Sequence, residues 1–164
     1  MKNLKSALEK LENSKVFKEW KKNNKDAYLC GMFMMSELSN INHENWQIDF
    51  FHNKSITSFI LGKEIKLTNT EEIFTKDNKI EELDMNKVKI NLESAMKLAM
   101  NVKDSKYSDQ NITKAIIILQ ASLWTITFLT SAFKVLNVKI DNSSGEIIDS
   151  CIIPIMDFKA KDPC

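Results

Sequence analysis

The side chains able to act as nucleophiles, metal ligands or general bases are few and scattered. The cysteines are Cys30, Cys151 and Cys164, and the histidines are His43 and His52. The histidines bracket "ENWQIDFF" and lie nine positions apart. In an extended strand that is about 30 Å, with opposite parity, so the two cannot ligate one metal ion. Each reads as a lone histidine in a surface turn. Cys30 sits among Met32, Phe33, Met34 and Met35, which suits a buried, inert thiol, because a reactive cysteine needs exposure and nearby positive charge. Cys151, in the last apolar segment, reads the same way, and Cys164 follows Pro163 as a free thiol. Three cysteines at unrelated spacings suggest neither a disulfide framework nor a zinc site, and reduced thiols in a cytosol are the simplest reading. No cysteine is paired with a histidine in the pattern that nucleophilic catalysis uses. The segment "DNSSGE", Asp141 to Glu146, alternates oxygen side chains with a glycine, but it is too short for a calcium loop and lacks the twelfth-position glutamate. It reads as a hairpin turn. The expectation is therefore a protein without enzymatic activity, with no catalytic residue, metal ligand or cofactor.

Composition narrows the partners. The chain has 164 residues, 43% of them hydrophobic, enough for a core. Its 23 basic and 22 acidic residues nearly cancel, and every basic residue is lysine. Without arginine there is no planar fork for bidentate recognition of phosphate or guanine, so nucleic acid is not an expected partner. The start, "MKNLKSALEKLENSK", has no apolar secretory core, which gives a cytoplasmic expectation. The first 25 residues carry eight lysines against three glutamates, and a later segment, "EEIFTKDNKIEELD", is acidic.

These residues need elements to hold them, and the hydrophobic periodicity supplies a set. Leu4, Leu8 and Leu11 share a helical face, and Phe17 with Trp20 resume it after Asn13 and Ser14, either of which can cap a second helix. "AYLCGMFMMSE", "WQIDFF", "ITSFILG" and "EIKLT" then read as four strands, the last two joined tightly at Gly62 and Lys63. A helix over 91–103 follows, capped by Asn91 and striped by Leu92, Ala95, Met96, Ala99 and Val102. Strands then return. Trp46, Ile48 and Phe50 recur as Trp124, Ile126 and Phe128, displaced by 78 residues, and the same displacement carries Phe17 to Ala95 and Trp20 to Leu98. This predicts two αββββ units. Residues 1–75 form the first with an added N-terminal helix, 76–90 an acidic connector, and 91–164 the second.

The run "AIIILQASLWTITFLTSAF", Ala115 to Phe133, has nineteen residues and no charge, the length of a membrane-spanning helix. The repeat argues otherwise, since the matching part of the first unit contains Glu37, His43, Glu44 and Asp49. Alternation of Trp124, Ile126 and Phe128 with threonines has the period of a strand. The run is therefore expected to be two neighbouring strands with "QAS" as their turn, and no membrane span.

The second unit, with its alanine and leucine helix stripe, a strand begun by Trp124, and a turn built from Asp141, Gly145 and Glu146, resembles the PepSY domain. The resemblance covers about residues 91–151 and reaches the first unit only through the repeat. It implies an α+β fold with a helix packed on an antiparallel sheet of three to four strands. It also implies a protein-binding or inhibitory role that uses no fixed catalytic set.

"AIIIL" and "FMM" are apolar on both faces of a strand, and one helix per unit covers only one. The remaining face is the expected partner site, with Phe33, Met35, Ile116 and Ile118 as candidates and Trp46 and Trp124 as groove residues or core anchors. The partner would be a protein or peptide, a second copy of the chain included. An apolar small molecule held between helix and sheet is the alternative.

Overall fold

In the computed structural model, residues 4–38, 45–68, 71–72 and 80–158 are described. The chain is α+β, with three helices and an antiparallel sheet whose main path has eight strands. Helices α1 (Leu4–Glu12) and α2 (Lys15–Asn23) precede β1 (Tyr28–Glu37), β2 (Gln47–His52), β3 (Ser55–Leu61), β4 (Ile65–Leu67) and the short β5 (Glu71–Glu72). Helix α3 (Leu92–Lys106) leads into β6 (Ile112–Gln120), β7 (Leu123–Thr130), β8 (Lys134–Asp141) and β9 (Ile147–Pro154).

The caps explain the helix boundaries. Ser14 interrupts the leucine stripe and its hydroxyl accepts from the Phe17 amide at 3.1 Å, opening α2. The Asn91 side chain accepts from the Ser94 amide at 2.9 Å and opens α3, which runs one turn beyond the expected Lys103.

The sheet order is β4-β3-β2-β1-β6-β7-β8-β9, with β5 beside β3. Each half is a meander, and the halves join through an antiparallel seam from Met32↔Leu119 to Glu37↔Lys114. One continuous sheet results. The uncharged run falls on β6, its turn and β7, and among the described residues no helix is long and apolar enough to cross a membrane.

Residues directly opposite in an antiparallel ladder point to the same side. Met32, Ile48, Phe59, Leu119, Trp124 and Ile140 are linked in this way and lie in a single buried cluster with Leu11, Phe17, Ala95 and Ala99 from the helices. All three helices therefore cover one face. Under α2 the rings of Phe17, Trp20, Phe50 and Phe59 stack with centroids 5.1 to 5.9 Å apart. Under α3, the buried Trp124 donates its indole N–H to the Ile90 carbonyl at 2.9 Å.

The expected acidic connector, 76–90, is in its described part a packed element. Leu83 is buried, its amide bonds the Leu29 carbonyl, and Tyr28 donates to the Ile80 carbonyl at 2.7 Å. The amides of Lys89 and Ile90 both donate to the Asn142 carbonyl. Apolar Leu83, Met85, Val88 and Ile90 among the acids supply the burial that a purely solvated connector would lack.

Candidate functional site

The face opposite the helices is built by strand parity. In the row through Phe33, register runs Lys66, Ile60, Gln47, Phe33, Ile118, Thr125, Lys139 and Asp149 across all eight strands. One pair further along β1, Met35 stands opposite Ile116, and next Glu37 opposite Lys114. Among the described residues, none of the three α-helices packs on this face. Met35 is 56% exposed and Ile60 38%, while Phe33, Ile116 and Ile118 are half-buried. Contiguous apolar surface of this kind marks interaction sites when it persists in water.

Of the residues singled out from sequence, Phe33, Met35, Ile116 and Ile118 thus come together as two registered cross-strand pairs at the centre of the sheet. Trp46 and Trp124 do not join them. They are 1% and 0% exposed within the helix-side core, because their parity turns them with Ile48 and Ile126 toward the helices. Ile60 also belongs to the open face, and alternation within "ITSFIL" is the signal that assigns Ile56, Ser58 and Ile60 to one side.

Toward β8 the same face is closed. Thr127, Val135 and Asn137 are buried there. The Thr127 hydroxyl donates to the Asn137 side-chain carbonyl at 2.9 Å, leaving the Asn137 amide nitrogen buried without a partner.

The chemically capable groups are arranged for inertness. Cys30 occupies a bulge between Leu29 and Gly31 in β1 and donates its thiol to the Asp49 carbonyl at 3.3 Å. Burial, reinforced by the Asp49 charge, pushes its pKa up to about 12. Cys151, expected to be a reduced thiol, is disulfide-bonded instead; strand parity turns it outward opposite Asn137, away from the core that would have kept a thiol inert. His52 shares a hydrogen bond with the Asn53 side chain at 2.8 Å. His43 and Cys164 lie outside the described residues. Among those described, no group of three or more His, Cys, Asp or Glu side chains is placed to hold a metal ion.

In the turn "DNSSGE", one Asp141 oxygen accepts from the hydroxyls and amides of Ser143 and Ser144 at 2.6 to 2.9 Å. The Ser143 hydroxyl leads the bonds that lower its pKa to about 2. That oxygen is spent on the turn itself. Two open clefts lie at the rim of the molecule. One of about 230 Å³ is lined by Leu4, Met85, Val88 and Ile90 among others, and one of about 360 Å³ by Asn45, Ile60, Gly62 and Lys66 among others. Between helices and sheet lies the buried cluster.

No protein-family profile matches the chain, and no curated protein matches it. Among solved structures, a candidate lipoprotein from Clostridium difficile 630 is similar in fold, with a TM-score of 0.51 and 13% sequence identity. The match covers 93% of this chain and all of that one.

Proposed function

We propose that this protein is a non-catalytic protein- or peptide-binding module built from two PepSY-like αββββ units, and that it binds through the helix-free face of its sheet. The observation that carries the reading is the exposed apolar centre of that face, where Phe33 and Met35 of β1 meet Ile118 and Ile116 of β6. A duplicated unit is supported by the 78-residue displacement of the tryptophan strand and by a strand order that reads the same outward from the β1–β6 seam. The PepSY assignment rests on Trp124 and on the turn Asp141, Gly145 and Glu146.

Binding here needs no bond-making chemistry. A partner gains the transfer of apolar side chains from water, about 25 cal/mol per Å², and the sheet is rigid enough to present them without a large ordering cost. As to location, the disulfide at Cys151 favours a compartment that oxidises thiols, and we take that reading over the cytoplasmic one.

The test is photo-crosslinking in the source cell. A photoreactive residue is placed at Met35 in one variant and at Ser6, exposed on α1, in another. Protein adducts from position 35 and not from position 6 are expected. Equal labelling at both positions, or none at either, overturns the proposal.

A further inference from the structure

We infer that Cys151 is disulfide-bonded to Cys164, and that the segment between Phe158 and this bond is a reducible strap that closes the helix-free face over β7 and β8. The strap bounds the binding face proposed above and exists whatever that face binds.

The pairing follows from the cysteine inventory. The sequence holds three cysteines. Cys30 is free and buried, with its thiol given to the Asp49 carbonyl, and Cys151 is disulfide-bonded. Cys164 is the one cysteine left to be its partner.

The strap follows from burial on the side away from the helices. The row through Met35 runs Met35, Ile116, Thr127, Asn137 and Cys151, and the next runs Glu37, Lys114, Leu129, Val135 and Ile153. Among the described residues, none of the three α-helices packs there. Met35 is accordingly 56% exposed, yet Thr127, Val135 and Asn137 are at most 3% exposed. Two of the three are polar, and the hydrogen bond between them is sealed from water. Polar side chains on the uncovered face of a one-sided sheet stay wet unless something crosses them. The cover is also local. Two positions along the strands, Thr125 and Lys139 face each other half-buried, so the closed area lies toward the end of the sheet where the chain leaves β9 at Pro154.

The chain beyond Pro154 is placed and long enough to be that cover. A single 3-10 turn, Ile155–Asp157, buries none of its residues, and Ile155 and Met156 are exposed, but Phe158 after it is half-buried. Phe158 is the apolar anchor of the strap. Ten residues from Pro154 to Cys164 reach up to about 35 Å. Crossing β8 to β7 and returning takes about 20 Å, and the three residues back along β9 to Cys151 another 10 Å or so. The Cys151 side chain points outward on this same face, opposite Asn137, where a returning segment meets it.

The bond makes the cover removable. Two-electron reduction by an external dithiol breaks the S–S bond, leaves a thiol on each cysteine and converts the reductant to its own disulfide. The freed strap uncovers Thr127, Leu129, Val135 and Asn137, which widens the apolar seam patch by two strands. The oxidised chain presents the narrow face and the reduced chain the wide one.

Two measurements test this. Proteolysis without reductant followed by mass spectrometry is expected to yield a peptide joining Cys151 to Cys164. Hydroxyl-radical footprinting of the wild-type chain is expected to label Val135 and Leu129 several-fold more after dithiol treatment, with Met35 labelled equally in both states. Cys164→Ser is expected to show the reduced pattern without dithiol, at unchanged far-ultraviolet dichroism. Linkage of Cys151 to a cysteine of a second chain overturns the inference. So does Val135 labelling that stays low after reduction and in Cys164→Ser, or that is already high in the oxidised chain.

Discussion

Replacing Trp124 by phenylalanine tests how the second half of the molecule is held together. The indole is fully buried and its N–H bonds the Ile90 carbonyl, one residue before the Asn91 cap of α3. Phenylalanine keeps an aromatic ring but lacks two carbons and the indole nitrogen, and the two carbons alone are a loss of about 1.6 kcal/mol at about 0.8 kcal/mol per buried methylene equivalent. It also leaves the Ile90 carbonyl without its donor, a further cost of about 1 to 3 kcal/mol. Trp124→Phe should therefore destabilise by about 2.5 to 4.5 kcal/mol, and Trp124→Ala by at least about 3 to 5 kcal/mol. Urea unfolding measures this as a lower midpoint at unchanged slope. Hydrogen exchange supplies a local readout, because the Lys89 and Ile90 amides both bond the Asn142 carbonyl and should exchange faster once the indole bond is lost. A loss below about 1 kcal/mol in Trp124→Phe, well under the sum above, would refute the reasoning. So would unchanged protection at Lys89 and Ile90.

Gly145 has φ +81° and a Cβ there would stand 3.2 Å from Ile90 Cδ1, so Gly145→Ala should cost about 1 to 2 kcal/mol in thermal unfolding. In the closed part of the open face, Asn137→Leu leaves the Thr127 hydroxyl without its acceptor and should destabilise. Thr127→Val with Asn137→Leu removes both groups, along with the orphaned Asn137 amide, and chemical denaturation should find the double variant at least as stable as the wild type. Cys30 should resist a thiol reagent at pH 8 in the native protein and react once unfolded, since burial raises its pKa to about 12. The sign of its pH dependence follows: a raised folded pKa gives a stability that is full below the ordinary value of 9.0 and declines as pH rises from there toward about 12. The stability difference between wild type and Cys30→Ala should shrink over that window, and a difference independent of pH would contradict the assignment.

Much of the secondary structure is legible in the chain because it is written in local chemistry. Ser14 and Asn91 are side-chain caps, Asn53 and Lys54 take the positive φ of a two-residue hairpin turn, and the Trp124 strand alternates with period two. What could not be read was whatever depends on pairing between distant segments. The β1–β6 seam joins residues more than 75 positions apart, and no local pattern states that two meanders share one sheet rather than pack as two. The tryptophans show the same division. Their recurrence is visible in sequence, but their direction depends on which side of the sheet the helices take, and burial of Leu11, Phe17 and Ala95 with them settles that side. In the connector, 76–90, five apolar residues stand among four acids, and Leu83 and Ile90 are the ones that fix its course.

The apolar runs "FMM" and "AIIIL" acquire a sharper meaning from the seam. A strand inside a meander with one covered face alternates apolar and polar residues, as β7 does with its threonines and β2 with Gln47 and Asp49. β1 and β6 break that rule in the same place, where each is the other's neighbour. Solubility alone would have favoured polar residues at positions 33, 35, 116 and 118, which point away from the helices and contribute nothing to the buried cluster beneath. A folding requirement does not account for them either, since the seam's backbone ladder forms whatever the outward side chains are. The polar strands on either side show that the fold tolerates polar outward residues. The apolar centre is thus a cost to the free chain that the proposed occupant of the face would offset, and that is why the proposal places the binding face at the seam rather than at either sheet edge.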